Sequence, residues 1–584
     1  MNWNFKLIYE SNDLFYKDLD KIDYLVNEIL KLKGKLNTFE GFKNYNLLNR
    51  DLEKIISKAY TYASMKYDLD QRNQSSEKDY ALIYNKYNQA MSKLSWIDPE
   101  LLKIGEDVLN DFIDKSKELK PVKKKIKTLF RMNKYVLDEK SEEIISYSEE
   151  AFQKFNELYD KLCVVDQKPK LIKLSNKEKI LVDTSSYTYY LENLENQNDR
   201  KKVFEALYSY YDFHKATLAQ IYDGILSSEN ALKKSRGFDS ILDMYLYPNE
   251  INKLVYKTLI DTAKNNTKPL KRYIKLRKKA LGLKTYHTYD RMRYITTSKK
   301  EYSYEEAKRL VLEADKFMGE DFYKKALFVL EDGRVSVLPN EGKRSGAYST
   351  GTYDDGPFIL LNYKNSLNDV FTLAHEAGHS IHTCYSNDAE PFEIANYEIF
   401  VAEIASTFNE QVLLDYMLNN TLDNNEKIVL LENSINNLIS TFYRQILFAD
   451  YELIAHELKE KGEPITEDVL SNIMIDLYKK YYGINLEKEI LKKYVWAYIP
   501  HMFHSPFYVY QYATSLAASL AIYEKIKSHD ENAYNNYIEL LKSGSKDYPL
   551  ELVKKAGVDL TKKDPYISLI NRIDELVSEL EKLI

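Results

Sequence analysis

The chain has 584 residues, of which 44% are apolar and 29% are charged, a composition typical of a folded globular protein and not of a disordered one. Its length exceeds what one compact core usually holds, so we expect two or more lobes. The net charge of −6 gives no electrostatic reason to expect a nucleic-acid partner.

The N-terminal part of the chain predicts long helices. Residues 10 to about 165 follow a helical, heavily charged pattern, and the low counts of 17 Gly and 13 Pro fit few turns. No apolar run of signal-peptide length opens the sequence, and no stretch approaches the ~18 apolar residues of a membrane span. The two cysteines, Cys163 and Cys384, lie far apart and suggest no disulfide framework. We therefore expect a cytoplasmic protein that does not bind a membrane.

Two parts of the chain break the helical pattern. Alternating segments within 170–182 predict a short β-hairpin around Ser175 and Asn176, and we place a boundary after it, which divides the chain into 1–190 and 191–584. Glycines and alternating residues within 329–363 predict a small sheet with loops. Its segment "PFILLNY" could be an edge strand that pairs with an extended peptide, or an ordinary buried strand. From about residue 397 the pattern is helical again.

The segment "LAHEAGHSIH", residues 373–382, contains a candidate metal site. Ser366 and Asp369 form a capping box that predicts a helix through this segment. His375 and His379 are then one turn apart on one face, the spacing with which two imidazoles bind one tetrahedral zinc ion. Glu376 lies beside the first ligand, where it could act as general base on a water held by the metal. This is the His-Glu-x-x-His arrangement of zinc peptidases.

A catalytic zinc site needs a third protein ligand and one open position. The residues 396–418 predict a second helix. Glu403 lies on it, 24 residues after His379, and small residues follow it, which permits close packing against the first helix. His382 could be an alternative ligand, although a role in supporting the site fits better. The spacing leaves open the other carboxylates downstream of the histidines, which are Glu390, Glu393, Glu398 and Glu410.

Four segments together resemble the oligoendopeptidase F branch of the thimet oligopeptidase family of zinc peptidases. They are "GKRSGAYSTGTYDDGPFILLNY", "FTLAHEAGHSIHTCYSN", "IFVAEIASTFNE" and "IPHMFHSPFYVYQYATS". The resemblance implies a mainly α fold of the zincin, neurolysin-like type, with two helical lobes around a deep substrate channel and a small sheet next to the metal-binding helix. It implies an N-terminal helical region of oligopeptidase F type within 1–190 and a zinc peptidase catalytic domain within 191–584.

The resemblance also implies functional residues and a reaction. It assigns the third ligand of one zinc ion to the Glu of "FVAE", Glu403, and implies that His501 and Tyr508 contact the substrate or its transition state. If a helix begins near Phe507, Tyr508 and Tyr512 share a face. The roles of His504 and Tyr510 stay open. The reaction implied is endopeptidase cleavage of short peptides.

Two other functions remain as alternatives. A related zinc carboxypeptidase or dipeptidyl peptidase would need a group that binds a free terminus, and the sequence does not locate one. A non-catalytic, helical peptide-binding protein is more remote, because Glu376 is intact beside intact ligands. The sequence does not predict an oligomeric state.

Overall fold

The computed structural model describes residues 2–296 and 300–584. This part of the chain is mainly helical and carries small sheets, so the predicted fold class is confirmed. The chain forms two compact units, each built from three separate stretches. Met1–Lys134, Lys300–Asn419 and Ile522–Val558 make the first, and Tyr135–Lys299, Asn420–Ala521 and Asp559–Ile584 make the second. The division of the sequence near residue 190 stays a prediction.

Helices provide nearly all regular structure in both units. The α-helices that lie wholly or largely in the first unit are Asn12–Leu30, Phe39–Leu69, Gln74–Leu94, Ile97–Ile104, Glu106–Asp114, Lys123–Asn133, Tyr304–Asp315, Gly319–Val329, Leu367–Ala389, Phe392–Ala395, Ile399–Asn420, Glu531–Leu541 and Pro549–Lys555. Those of the second unit are Glu139–Asp160, Tyr187–Asn193, Gln197–Phe213, Lys215–Arg236, Ile241–Leu246, Lys253–Asn265, Lys268–Ala280, Asn424–Ile439, Gln445–Glu460, Glu467–Tyr482, Val495–Tyr498, His501–His504 and Asp564–Leu583. The helix Tyr510–Lys527 contributes residues to both units.

Shorter helical turns connect several of these helices. The 3-10 turns are Phe5–Leu7, Lys117–Val122, Tyr247–Asn249, Thr288–Asp290, Lys316–Met318 and Leu486–Tyr494, and the π-helical turns are Lys161–Val165 and Ser440–Arg444. Within the described residues, no helix combines the length and the apolar character that crossing a membrane requires.

In residues 2–296 and 300–584, five strands form two small sheets. Strands β1 (Lys170–Lys173) and β2 (Lys179–Val182) pair antiparallel, which confirms the predicted hairpin. Strands β3 (Val335–Ser336), β4 (Tyr348–Thr352) and β5 (Gly356–Leu360) form the sheet predicted within 329–363, in the order β3-β5-β4. Strand β5 pairs parallel with β3 and antiparallel with β4.

The position of β5 decides between the two interpretations of "PFILLNY". This strand is the central one of its sheet, so both of its edges are occupied by neighbouring strands. Phe358, Ile359 and Leu360 are completely buried. The interpretation as an edge strand that pairs with a peptide is therefore wrong, and the buried-strand interpretation is correct.

The N-terminal helices share a core with this sheet in the first unit. In the helix Asn12–Leu30, buried apolar residues recur every three or four positions and include Phe15, Leu19 and Ile22, the pattern of a helix with one face on a core. Their cluster extends to Phe358 of β5. The indole N–H of Trp3 donates to the carbonyl oxygens of Arg334 (3.0 Å) and Ile359 (2.9 Å). Trp3 thus holds the adjoining N-terminal segment to the sheet that precedes the predicted metal helix.

Candidate metal centre

The predicted metal helix is Leu367–Ala389, and it begins at the predicted capping box. The Ser366 hydroxyl accepts a hydrogen bond from the Asp369 backbone N–H (3.2 Å), and the Asp369 carboxylate accepts one from the Ser366 backbone N–H (2.9 Å). These bonds satisfy backbone donors that the first turn of a helix leaves without partners. Because the helix that begins here continues through both histidines, His375 and His379 lie one turn apart on one face.

The helix Ile399–Asn420, called here the carboxylate helix, packs unusually close to the metal helix. A Cβ atom added at Gly378 would lie 2.7 Å from the Ala405 carbonyl oxygen and 2.8 Å from the Ser406 Cα atom. Both neighbours are backbone atoms, so only a glycine fits between the two helices at this point. The small residues after Glu403 therefore permit the close packing that the sequence predicted.

This packing brings three predicted ligands together. The ligand atoms of His375, His379 and Glu403 all lie within 4.8 Å of one another. The Glu403 carboxylate is 3.5 Å from His375 Nε2 and 3.9 Å from His379 Nε2. Two imidazoles and one carboxylate form the donor set of a catalytic zinc site, which leaves a fourth position open. The residues present thus fit a zinc ion.

The other ring positions of the two histidines also have partners. His375 Nδ1 is 2.6 Å from Glu410 Oε1, and the His379 ring donates to the Ala402 carbonyl oxygen. A partner on the second nitrogen fixes the tautomer and orientation of a metal-binding histidine. Glu410, which the sequence left open as a ligand, therefore lies where it orients His375. Glu398, the other main alternative, pairs with Lys124 at 2.9 Å.

Glu376 lies beside this group in a buried position. Burial raises the pKa of its carboxyl to about 7; the charge of His375 and the N–H of Ser349 oppose this rise, and the charges of Glu403 and Glu410 add to it. Burial would lower the pKa of His375, but Glu410, together with the charges of Glu376 and Glu403, raises it to about 9. The negative potential of these carboxylates favours a bound cation.

His382 and Cys384 are buried in the metal helix and lie outside the three-ligand group. The His382 ring stacks on Tyr397 with the ring centres 3.6 Å apart, and burial lowers its pKa to about 3. The Tyr397 hydroxyl in turn donates to the His379 carbonyl oxygen (3.2 Å). His382 therefore packs against the part of the helix that carries His379, and Cys384 is a buried residue of the same helix.

The predicted substrate-contacting residues belong to the second unit. The rings of His501 and Tyr508 are 6.1 Å apart, and those of Tyr508 and Tyr512 are 5.5 Å apart. The helix begins at Tyr510 and not near Phe507, because Phe507 adopts a left-handed backbone conformation with φ of 53°. Tyr508 therefore precedes the helix, although it still lies beside Tyr512.

Two residues with open roles have structural partners. His504 Nε2 is 2.9 Å from the Asp160 carboxylate, which gives the His504 ring a hydrogen-bond partner at the surface. Tyr510 is buried, and its ring lies 5.0 Å from that of Tyr256. Both residues are accounted for by packing within the second unit.

Sequence reasoning missed a buried group that supports Tyr508. The Glu452 carboxylate accepts the backbone N–H of Phe507 (3.1 Å), which fixes the left-handed turn just before Tyr508. His456 contacts the Glu452 carbonyl oxygen through Nδ1 and the Glu229 carboxylate through Nε2, each at 2.7 Å. Glu229 and Glu452 lie far apart in the sequence, so no local pattern indicates this group.

Comparison with known proteins agrees with this geometry. Residues 190–572 match the model of peptidase family M3, and residues 100–168 match that of oligopeptidase F. Oligopeptidase PepF of Bacillus subtilis is 34% identical over 100% of this chain and 87% of its own length. An oligoendopeptidase F homolog of Borreliella burgdorferi is 35% identical over 100% of this chain and 98% of its own length.

Solved structures show the same likeness. A structure from Chlamydophila abortus superposes with a TM-score of 0.92 at 30% identity, covering 100% of this chain and 98% of that one. Oligoendopeptidase-F from Enterococcus faecium gives a TM-score of 0.74 at 27% identity, covering 98% and 99%. The chain therefore belongs to peptidase family M3, in its oligoendopeptidase F branch, and is a metalloendopeptidase.

Proposed function

We propose that this protein is a zinc-dependent endopeptidase that hydrolyses short peptides. The observation that carries the proposal is the convergence of His375, His379 and Glu403 within 4.8 Å, with the buried carboxyl of Glu376 beside them. The preference for short peptides rests on the names of its relatives, which are oligopeptidases and oligoendopeptidases.

His375 and His379, through Nε2, and Glu403, through its carboxylate, would hold the metal. A bound zinc ion supplies a Lewis acid that lowers the pKa of a water molecule and polarises a carbonyl group. Glu410 would hold the His375 ring in the orientation that presents Nε2 to the metal, and the Ala402 carbonyl would do the same for His379.

Glu376 would transfer the proton in the reaction. Its carboxyl group is buried beside the proposed ligands, and a carboxylate in such a position can both accept and donate a proton. The carboxylate takes a proton from the attacking water and then gives it to the nitrogen of the leaving amine. The Ser349 N–H, which hydrogen-bonds the carboxylate, would hold Glu376 in position during this transfer.

We propose His501 and Tyr508 as donors to the oxygen that gains negative charge when the carbonyl is attacked. In the described part of the chain, neither side chain forms a hydrogen bond, and each contacts its neighbours through ring packing. Their donor groups are therefore available to a ligand. Burial and the charge of His504 lower the pKa of His501, which keeps its ring neutral near pH 7.

Two variants test the assignment of roles. Glu376→Gln keeps the shape of the side chain but cannot accept a proton, so we expect cleavage of a fluorescence-quenched peptide to fall about 10²–10⁴-fold at unchanged zinc content. Glu403→Ala removes a ligand, so zinc content itself should fall. Normal activity of Glu376→Gln, or one zinc ion per chain in Glu403→Ala, would refute the respective role. Mass spectrometry of a digested peptide library would show whether cleavage is internal and limited to short peptides.

A further inference from the structure

A second polar site lies in the second unit, in a cavity that no proposed catalytic residue lines. Five elements enclose it: the helix Lys268–Ala280, the segment 286–291, the end of the helix Asn424–Ile439 with its π-helical turn, the helix Glu467–Tyr482 and the 3-10 turn Leu486–Tyr494. About 610 Å³ within the cavity and its opening is free of protein atoms. The enclosed part of the cavity is about 50 Å³, which is enough for a few water molecules or one small anion.

Three cationic side chains line the cavity, and none forms an ion pair with a described residue. They are Arg291, Arg444 and Lys492. The Arg291 guanidinium donates to the Ser440 hydroxyl (3.2 Å), and the Lys492 ammonium donates to the Tyr208 hydroxyl (2.7 Å). Each of these hydrogen bonds uses a neutral acceptor. The positive charges are therefore solvated only in part and are not neutralised.

The nearest carboxylates are engaged elsewhere. Glu489 accepts hydrogen bonds from the Thr288 N–H (2.9 Å) and hydroxyl (2.5 Å), and one of its oxygens is 3.2 Å from His287 Nδ1. Glu432 pairs with Arg277. Neither acid thus forms an ion pair with the three basic side chains, while the charges of Glu489 and Glu192 still act on Lys492 and Arg291.

The pKa values of two of these side chains reflect their burial and their closeness to one another. Burial lowers the pKa of Lys492 well below its usual value, the charges of Arg444 and Arg291 lower it further, and the charge of Glu489 opposes this change. Burial and the charge of Arg444 also lower the pKa of Arg291. Basic groups so close together in a partly enclosed space disfavour one another's charged forms, and an anion bound between them would favour the charged forms.

Two tyrosine hydroxyls add neutral donors to the same cavity. The rings of Tyr478 and Tyr482 stack with their centres 5.4 Å apart, and both residues line the cavity. In the described part of the chain, neither hydroxyl forms a hydrogen bond. Forked guanidinium groups with nearby hydroxyl donors suit an anion that has several acceptor oxygens better than a spherical halide.

We propose that this cavity binds an oxyanion of the phosphate class, held by Arg291, Arg444 and Lys492 with hydrogen bonds from Tyr478 and Tyr482. The anion is free phosphate or the phosphate group of a small molecule. The site is separate from the peptidase residues and does not rest on their proposed roles. Its occupation stabilises the second unit, because a ligand that binds only the folded state raises the free energy of unfolding.

Thermal unfolding of the full, zinc-loaded chain tests the proposal. Inorganic phosphate should raise the midpoint temperature in a saturable way at constant ionic strength, whereas chloride should not. Glycerol 3-phosphate distinguishes the two sources: a stronger effect than that of phosphate indicates a phosphorylated small molecule, and a weaker effect indicates the free anion. An equal effect of chloride, or no effect of either phosphate, would overturn the proposal.

Matched variants connect the effect to the cavity. Lys492→Met removes one buried charge, so we expect the variant to be more stable than the wild type without phosphate, and its dissociation constant for phosphate to rise about tenfold to a hundredfold. Arg444→Lys keeps the charge but loses the fork and should also weaken binding. The exposed Lys278→Gln serves as a surface control, and His379→Ala should retain the phosphate effect. The proposed location would be refuted if both cavity variants kept the phosphate affinity of the wild type. It would also be refuted if His379→Ala lost that affinity.

Discussion

Substitution of Gly378 by alanine tests whether the contact between the two site helices sets the metal geometry. An alanine inside a helix normally stabilises a protein by about 1 kcal/mol relative to glycine. Here the new Cβ would lie 2.7 Å from the Ala405 carbonyl oxygen, whereas ordinary contact begins at 3.4 Å. The helices must therefore separate by about 0.7 Å, the difference between these distances. Neither can relax through a side-chain rotation, because the contacting atoms belong to the backbone.

The shift should reach the metal ligands. The Ser406 hydroxyl lies 3.1 Å from Glu403 Oε2, so a movement of the backbone at Ser406 displaces the carboxylate. Overpacking of this kind costs about 1–3 kcal/mol, which outweighs the gain from helix propensity. A misplacement of about 1 Å in an active site lowers activity about 10²-fold. We therefore expect Gly378→Ala to be less stable, to bind zinc more weakly and to lose most of its activity.

Competition with a zinc chelator, thermal unfolding and peptide cleavage would measure these three effects. Asn368→Ala is the matched control, because Asn368 is an exposed residue of the same helix, so its replacement changes helix propensity without a clash. We expect the control to keep wild-type zinc affinity. A Gly378→Ala variant that gains stability and keeps its zinc affinity would refute the reasoning, since the helices could then separate without effect on the ligands.

Three further predictions concern the residues around the site and behind Tyr508. Glu410→Gln should raise the zinc dissociation constant about tenfold to a hundredfold, and chelator competition that shows wild-type affinity would contradict the orienting role. Tyr508→Phe should lower kcat about 10²–10³-fold at full zinc content; an unchanged kcat would leave Tyr508 a packing residue. Burial raises the pKa of Glu452 to about 8 from 4.5, so this group stabilises the folded state at low pH, and the contribution is lost as pH rises between these values. The midpoint temperature of the wild type should therefore fall over this pH range, whereas that of Glu452→Gln should not, because glutamine does not titrate. Parallel pH profiles of variant and wild type would refute the prediction.

The local parts of the site could be predicted from the sequence. The capping box at Ser366, the spacing of His375 and His379, and the hairpin within 170–182 are determined by residues within a few positions of one another. Such short-range patterns depend on backbone geometry, which is the same in any fold. These patterns alone therefore placed the metal helix correctly, with Glu376 next to His375.

Features that depend on distant segments could not be predicted in this way. Spacing alone left Glu403 and Glu410 as alternative ligands, and only the packed helices show that Glu410 lies on the far nitrogen of His375. The turn at Phe507 has no glycine to signal its positive φ, because a buried carboxylate from another helix stabilises it. The central position of β5 likewise depends on β3, a strand of two residues with almost no sequence pattern.

The division of each unit into three stretches has a consequence for synthesis of the chain. Domains generally fold as units while the ribosome extends the chain from its N-terminus. All three proposed metal ligands have been made by Asn419, but the first unit still lacks Ile522–Val558. The ring of Phe408, on the carboxylate helix, stacks on Tyr537 of that last stretch, with the ring centres 4.3 Å apart. A nascent chain must therefore carry its proposed metal-binding segment with an uncovered apolar face until Ile522–Val558 has been made, and a chain truncated before Ile522 should aggregate.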